Sequence, residues 1–418
     1  MIQARSDVSS NRLAPLLRFM AVLYCAITVW KLFSQPERYQ WDLRAYYYGA
    51  CAFASGLNPY SLDDLTRVAG TPIDFIYPYS PITLWFFNPL TVMSFRAAYV
   101  TYLLLKIGAT IALVFWWKRA FLSGKAGTLY YFFCIYGFNM ALYRDLRAGN
   151  ISLFEQILLW TALYYFMRHK YMQFCLLLVS CSIFKITPMF FLCLLLLTQD
   201  RRRYLHFTCS VLLFGAIMAA SYFVDSQLLA QFLGSAVCHL LGMQSIGGIA
   251  VINPCLNEGG PINQSFLAAI REGGQALCGR IGVVMPWAGQ MALFLIIAGA
   301  VLTVSLRVVQ ALKASTVETQ GLMTVLFACV TYVLVLPRLK DYGLIVLLVP
   351  TWYILSEERY SKLFVPFALF AMTPLWSYHS LSVAFCVWLL YVNSILRPVS
   401  TQTVPPSSCP LQMYAETG

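Results

Sequence analysis

Long apolar runs, separated by short polar or charged turns, fill most of the chain. They lie near 14–34, 97–117, 127–143, 150–167, 172–184, 186–198, 204–224, 287–306, 320–336, 342–355, 363–377 and 378–396. A helix rises 1.5 Å per residue and a bilayer core is about 30 Å thick, so such runs read as membrane spans, some of them short. Twelve spans are predicted. Residues 81–95 are also apolar, but proline bounds them, and they are read as a segment at the outer boundary. Arg5, Arg12 and Arg18 precede a first run of full spanning length, which fits a first transmembrane helix better than a cleaved signal.

Two long segments interrupt the pattern, at about 35–80 and 225–286. Both contain amphipathic helical stretches, 42–55 and 226–241, expected to lie on the membrane surface. Residues 245–265 are rich in Gly, Pro and Asn and read as irregular loop. Residues 1–398 form one membrane domain in this reading. The tail 399–418 is polar, carries Pro405-Pro406 and reads as disordered. No internal repeat is apparent.

Composition sharpens the class. Of 418 residues, 60% are hydrophobic and only 11% are charged, against about 25% charged in a soluble domain. A soluble globule, a disordered chain and a nucleic-acid-binding domain are excluded. Aromatic residues make up 16%, which suits interfacial belts. With the N-terminus inside and the spans alternating, 16 of the 29 basic residues fall in cytoplasmic segments and nine in external ones, while ten of the 17 acids fall outside. The net charge of +12 is thus loop charge obeying the positive-inside rule, and both termini come out cytoplasmic.

The stretch 171–200 has basic flanks at both ends: Arg168 and Lys170 before it, Arg201, Arg202 and Arg203 after it. One crossing helix would separate flanks that both belong inside. Lys185 and Pro188 sit at its middle, where charge is costly in lipid and proline breaks the helical ladder. Two short helices with a turn at Lys185-Ile186-Thr187-Pro188 solve both problems and place Lys185 deep in the protein.

Candidate chemistry collects on the external side. Asp42 stands in Trp41-Asp42-Leu43-Arg44-Ala45-Tyr46-Tyr47-Tyr48. An acid among aromatics near the outer surface can have a raised pKa and act as a base; the competing reading is a helix N-cap. Tyr143-Arg144-Asp145-Leu146-Arg147 puts three charges in a short external turn, which either pair with one another or line a pocket for phosphate or sugar. Glu155, further into the next span, must face protein or water. Lys185 needs either a carboxylate such as Glu155 or Asp145, or an anionic ligand. Pro337-Arg338-Leu339-Lys340-Asp341-Tyr342 suits a lipid-phosphate headgroup, and Asn263-Gln264-Ser265 supplies neutral groups of the kind that hold sugars. Asn263-Gln264-Ser265 and Asn150-Ile151-Ser152 also match the glycosylation sequon. The 13 cysteines are scattered and mostly lie in apolar runs; no metal-ligand spacing occurs, and Cys255 with Cys278 is the one pair placed for a disulfide.

These motifs have a known counterpart. Asp42-Leu43-Arg44-Ala45-Tyr46-Tyr47, Gly56-Leu57-Asn58-Pro59-Tyr60, Tyr77-Pro78-Tyr79-Ser80-Pro81, Gly149-Asn150, Lys185-Ile186-Thr187-Pro188, Asn263-Gln264-Ser265 and the 337–342 turn occur in an order that resembles glycosyltransferase family 87. The family comprises C-class membrane glycosyltransferases, including polyprenyl-phosphomannose-dependent mannosyltransferases. The resemblance spans about 40–345. It implies an all-α polytopic bundle, a polyprenyl-phosphate sugar donor, transfer on the outer face of the bacterial inner membrane, and Asp42 as general base. Some members carry a His before the tenth span, where this chain has Lys340-Asp341.

The expectation is therefore an inverting glycosyltransferase of about twelve helices. It would move a mannose-like or other sugar from polyprenyl phosphate to a glycolipid or glycan acceptor, with Asp42 catalytic. Donor contacts are expected from Arg44, Arg144, Asp145, Lys185, Asn263, Gln264, Arg338, Lys340 and Asp341. No resident cofactor or metal is called for; a divalent ion is possible but not indicated. The rival expectation is a transporter or flippase of a lipid-linked anionic sugar. It would share the buried lysine but favours short loops and inverted repeats.

Overall fold

A computed structural model of the protein describes residues 3–36, 38–73, 75–122, 125–241, 245–246, 249–250, 262–280, 285–314 and 320–397. The described residues are mainly helical; they also hold an antiparallel ladder pairing Ser245 with Ala250 and Ile246 with Ile249, and an isolated bridge between Asn263 and Lys340. Cys255 and the tail 399–418 lie outside the described residues, and with them the 255–278 pairing that the sequence left open and the expected disorder.

Helical elements stand at all twelve predicted runs, but they are not twelve equivalent spans. Among the described residues, four helices are long and apolar enough to cross a membrane: α5 (Phe95–Ala120), α10 (Arg203–Val224), α13 (Trp287–Ala314) and α17 (His379–Leu396). In α10 only 11% of the apolar window is buried by protein, which leaves an apolar surface of the kind a lipid-facing helix presents. The opposite holds for α15 (Leu348–Leu355), all eight of whose residues are buried, and for α14 (Gln320–Val335), buried from Met323 to Leu334 with only Ala328 partly open. These two apolar runs meet other helices instead of lipid. Lipid tails and a protein interior are equally apolar, so hydropathy alone cannot tell the two surroundings apart.

The remaining helices of the bundle are α1 (Gln3–Ser34), α6 (Thr128–Ala148), α7 (Ser152–Met167), α8 (Tyr171–Ser182), α9 (Cys193–Leu196), α12 (Phe266–Gly279) and α16 (Ser361–Met372). The predicted break is present: α8 ends at Ser182, and a 3-10 turn over Thr187–Leu192 leads into the short α9. Pro188 sits at the start of that turn, where its missing N–H costs nothing. Residues 81–92 form three short helical pieces, among them α4 (Leu84–Phe87), and no span.

The two amphipathic stretches of the long segments are helical as well. The first, α2 (Trp41–Ala54), buries Leu43, Ala45, Tyr46, Tyr47, Gly49, Ala50 and Ala52. It is therefore not a free helix on the membrane surface, as its amphipathic pattern suggested. It is sheathed by α3 (Leu62–Ala69), α4 and the 88–92 turn. An aromatic cluster of Tyr46, Tyr60, Tyr77, Tyr79, Phe87 and Phe184 fills the space beneath it. Phe184 belongs to the break after α8, so the same cluster holds Lys185 near α2. The second, α11 (Ser226–Leu241), follows α10 as expected.

α6 is not one continuous helix. Gly137 is extended, and Phe138, Asn139 and Met140 have φ of 51°, 57° and 60°. Three consecutive L-residues in the left-handed region are costly, so the surrounding packing must impose them. Beyond this break the chain resumes as a short helix ending at Ala148. That last turn carries Arg144, Asp145 and Arg147 to the site.

Candidate active site

The site begins with a turn. Gly149 follows α6 with φ of +70°, which a side chain resists. A Cβ there would also stand 2.8 Å from Gln40 Cβ. Glycine is thus required both for the turn and for the approach of Gln40, whose N–H donates to Arg147 O at 2.7 Å. The contact docks the start of α2 on the end of α6, and Asn150 is delivered beneath Asp42.

Asn150 is the hub. It is 4% exposed, and its carboxamide faces two ways. Its Nδ2 lies 2.6 Å from Asp42 Oδ2 and 3.2 Å from the hydroxyls of Tyr46 and Tyr342. Its Oδ1 accepts from Ser152 N at 3.0 Å, Ser152 Oγ at 2.7 Å and Lys185 Nζ at 3.1 Å. Lys185 donates further to Ser152 Oγ at 2.6 Å and Glu155 Oε2 at 2.7 Å. The half-buried ammonium therefore has a protein carboxylate as its partner, one of the two alternatives the sequence left open.

Asp42 is not a helix cap. Gln40 holds the cap position without a side-chain cap bond, and Asp42 sits in the first turn of α2. Burial raises its carboxyl above the ordinary carboxylate range, while Lys340, the Asn150 hydrogen bond, Lys185 and Lys106 pull it back down. Burial holds the phenols of Tyr46 and Tyr79 well above their usual range. Their hydroxyls, 2.8 Å apart, stay protonated, which leaves the carboxylate as the local base.

The opposite wall is the turn 337–342. Lys340 Nζ lies 5.9 Å and Lys185 Nζ 5.5 Å from the centre of the Tyr342 ring, so that ring has two ammonium groups beside it. Asp341 pairs with Arg144 at 2.5 Å, tying this turn to α6. Asn263 Oδ1 accepts from Leu339 N at 3.1 Å, and Gln264 N donates to Leu339 O at 2.7 Å. Gln264 Nε2 donates to Ser377 O at 2.7 Å and its Oε1 accepts from Leu381 N at 3.4 Å, bracing the start of α17. Of these carboxamides, expected to hold sugar, Asn263 engages the turn and Gln264 the start of α17. Both sequon asparagines, Asn150 and Asn263, are buried.

Of the predicted residues, the structure brings Asp42, Lys185, Lys340 and the Arg144–Asp341 pair around Asn150 and Tyr342. Arg338 lies on the same turn. Asp145 is one layer deeper, paired with Lys106 Nζ at 2.6 Å. Arg44 points elsewhere: its guanidinium lies 5.7 Å from the centre of the Phe95 ring. Positions two apart on a helix face different ways, so Asp42 and Arg44 do not share a wall. Asn150, Ser152, Tyr342 and Lys106 were not named as site residues by sequence. Lys106, a single cation between Leu105 and Ile107 within a predicted span, carried the strongest available signal.

Fold and site together define a helical membrane protein with a carboxylate and several cations gathered around Asn150 and Tyr342. The chain matches glycosyltransferase family 87 over residues 75–337. It belongs to that family and is a glycosyltransferase. No curated protein and no solved structure matches it.

Proposed function

We propose that the protein is an inverting glycosyltransferase that uses a polyprenyl-phosphate sugar and transfers the sugar to a glycolipid or glycan hydroxyl. The observation that carries this reading is one carboxylate, Asp42, anchored by Asn150 and facing cations on Lys185 and the 337–342 turn. Asp42 accepts the proton of the acceptor hydroxyl as that oxygen attacks the anomeric carbon. The bond from that carbon to the phosphate oxygen breaks, and polyprenyl phosphate leaves with the electron pair. Lys340 and Arg338 meet the phosphate, and Lys185 supplies fixed positive charge behind Asn150. A phosphate ester leaves without prior protonation, so one carboxylate suffices where a glycosidase needs two. Arg44 and Asp145 have no direct donor contact in this reading, and Asn263, Gln264, Arg144 and Asp341 hold the phosphate-binding turn in place.

The reading is tested with purified protein, polyprenyl-phosphomannose as donor probe and a membrane glycolipid extract as acceptor. Mannosylated lipid should form, and a nucleotide sugar should not replace the donor. Transfer from the nucleotide sugar alone would overturn it.

The same reading places the protein in a bacterial inner membrane with both termini cytoplasmic and the pocket outside, supported by the 16-to-9 split of basic residues. Reporter fusions after Arg203 should report cytoplasm, and fusions near Asn263 the external side. An external signal at Arg203 would reject the hairpin topology of 171–200.

A further inference from the structure

Beneath the site lies a charged pair that neither proton transfer nor phosphate binding uses. Lys106, in the middle of α5, is 0% exposed. Its Nζ donates to Asp145 O at 2.8 Å and Asn150 O at 2.6 Å, and it pairs with Asp145 Oδ2 at 2.6 Å. An ammonium has three N–H groups, and here three acceptors surround it. All three belong to the turn that ends α6 and begins α7. A leucine at this position would fill the space without the cost of desolvating a charge. What leucine could not do is fix the carbonyls of Asp145 and Asn150 at once.

That placement matters because of what Asn150 does. Its carbonyl is held from below by Lys106, while its side chain holds Asp42 on one side and Lys185 on the other. Gly149 bends the chain just before it, and Gln40 closes on Arg147 O from the α2 side. The carboxamide therefore has its direction set by a backbone pinned on both faces.

We infer that Lys106 is a positioning residue for glycosyl transfer, acting through Asn150, with Asp145 as its charge partner. The inference rests on the proposed role of Asp42. A reacting oxygen displaced by about 1 Å can lose about a hundredfold in rate, so a loosened Asn150 should slow chemistry more than it weakens binding.

Three purified variants test it with polyprenyl-phosphomannose: Lys106→Met, Asn150→Ala and the two combined. Lys106→Met should lower kcat about 10- to 100-fold while donor KM changes by less than about threefold. The combined variant should be no slower than Asn150→Ala alone, because both changes remove one device. The acid limb of the kcat profile should move to higher pH in Lys106→Met, since a loosened Asn150 no longer favours the ionised Asp42. Multiplying losses in the combined variant, a change confined to KM, or an unchanged kcat would each overturn the inference. If Lys106→Met does not fold, Lys106→Met/Asp145→Asn removes both charges and is read the same way. Full activity in both Asn150→Ala and Asp42→Asn would reject the active-site reading itself. Losses in those two with a normal Lys106→Met would reject the positioning role alone.

Discussion

Asp42→Asn is expected to keep the fold and the donor affinity while lowering turnover by about 10²–10⁴-fold, the range for a lost general base. The substituted amide keeps an oxygen for Asn150 Nδ2, now 2.6 Å from the carboxylate, so the turn beneath it need not move. Only the ability to take a proton is lost. The other acids nearby are poor substitutes: Asp145 is fully buried against Lys106, and Asp341 is paired with Arg144. Near-normal turnover in purified Asp42→Asn would transfer the role to one of them. The pH dependence follows from the same environment. Burial raises the Asp42 carboxyl, so its base form is lost as pH falls through a value above the ordinary carboxylate range. The acid limb of kcat/KM should lie above that range in the wild type and vanish in Asp42→Asn.

Lys185→Met should destabilise the empty protein. Its partner Glu155 has a side chain only 8% exposed, and removing the ammonium leaves that carboxylate without its counter-charge. A fully buried pair broken on one side loses about 3–5 kcal/mol; with Lys185 30% exposed, about 2–4 kcal/mol is expected. Glu155→Gln in the same chain should recover most of the loss, because a neutral amide does not need the counter-charge. Thermal unfolding in detergent, without donor, measures this. A Lys185→Met protein as stable as wild type would mean that Glu155 is not the resting partner, and would return the ammonium to an anionic ligand alone.

Much of this architecture was legible in the sequence because lipid permits few solutions. Every apolar run became helical, since a backbone in a bilayer must satisfy its own hydrogen bonds. The break within 171–200 was readable because basic flanks and a central Lys-x-x-Pro contradict a single span. What hydropathy could not supply was the partner of each run. It could not separate α10, which the protein leaves largely uncovered, from α15, which is wholly buried. The left-handed break at Phe138–Met140 left no trace either, as none of its three residues is a glycine. In the site, charged residues announced themselves because charge is rare in such a chain. Asn150 stood out only as part of the Gly149-Asn150 motif, and its role as the hub could not be read until its neighbours in space were known. Asn263 and Gln264 were legible as polar but not as braces, because their partners Leu339, Ser377 and Leu381 lie 75 or more residues away.

The central claim is a direct displacement at the anomeric carbon by a hydroxyl that Asp42 deprotonates. The anomeric configuration of the product tests it most directly. With polyprenyl-phosphomannose of known β configuration as donor, the wild-type protein should yield an α-linked mannoside, read by the one-bond C1–H1 coupling in NMR. A β-linked product would require two displacements and a covalent sugar on the protein, and would contradict the account.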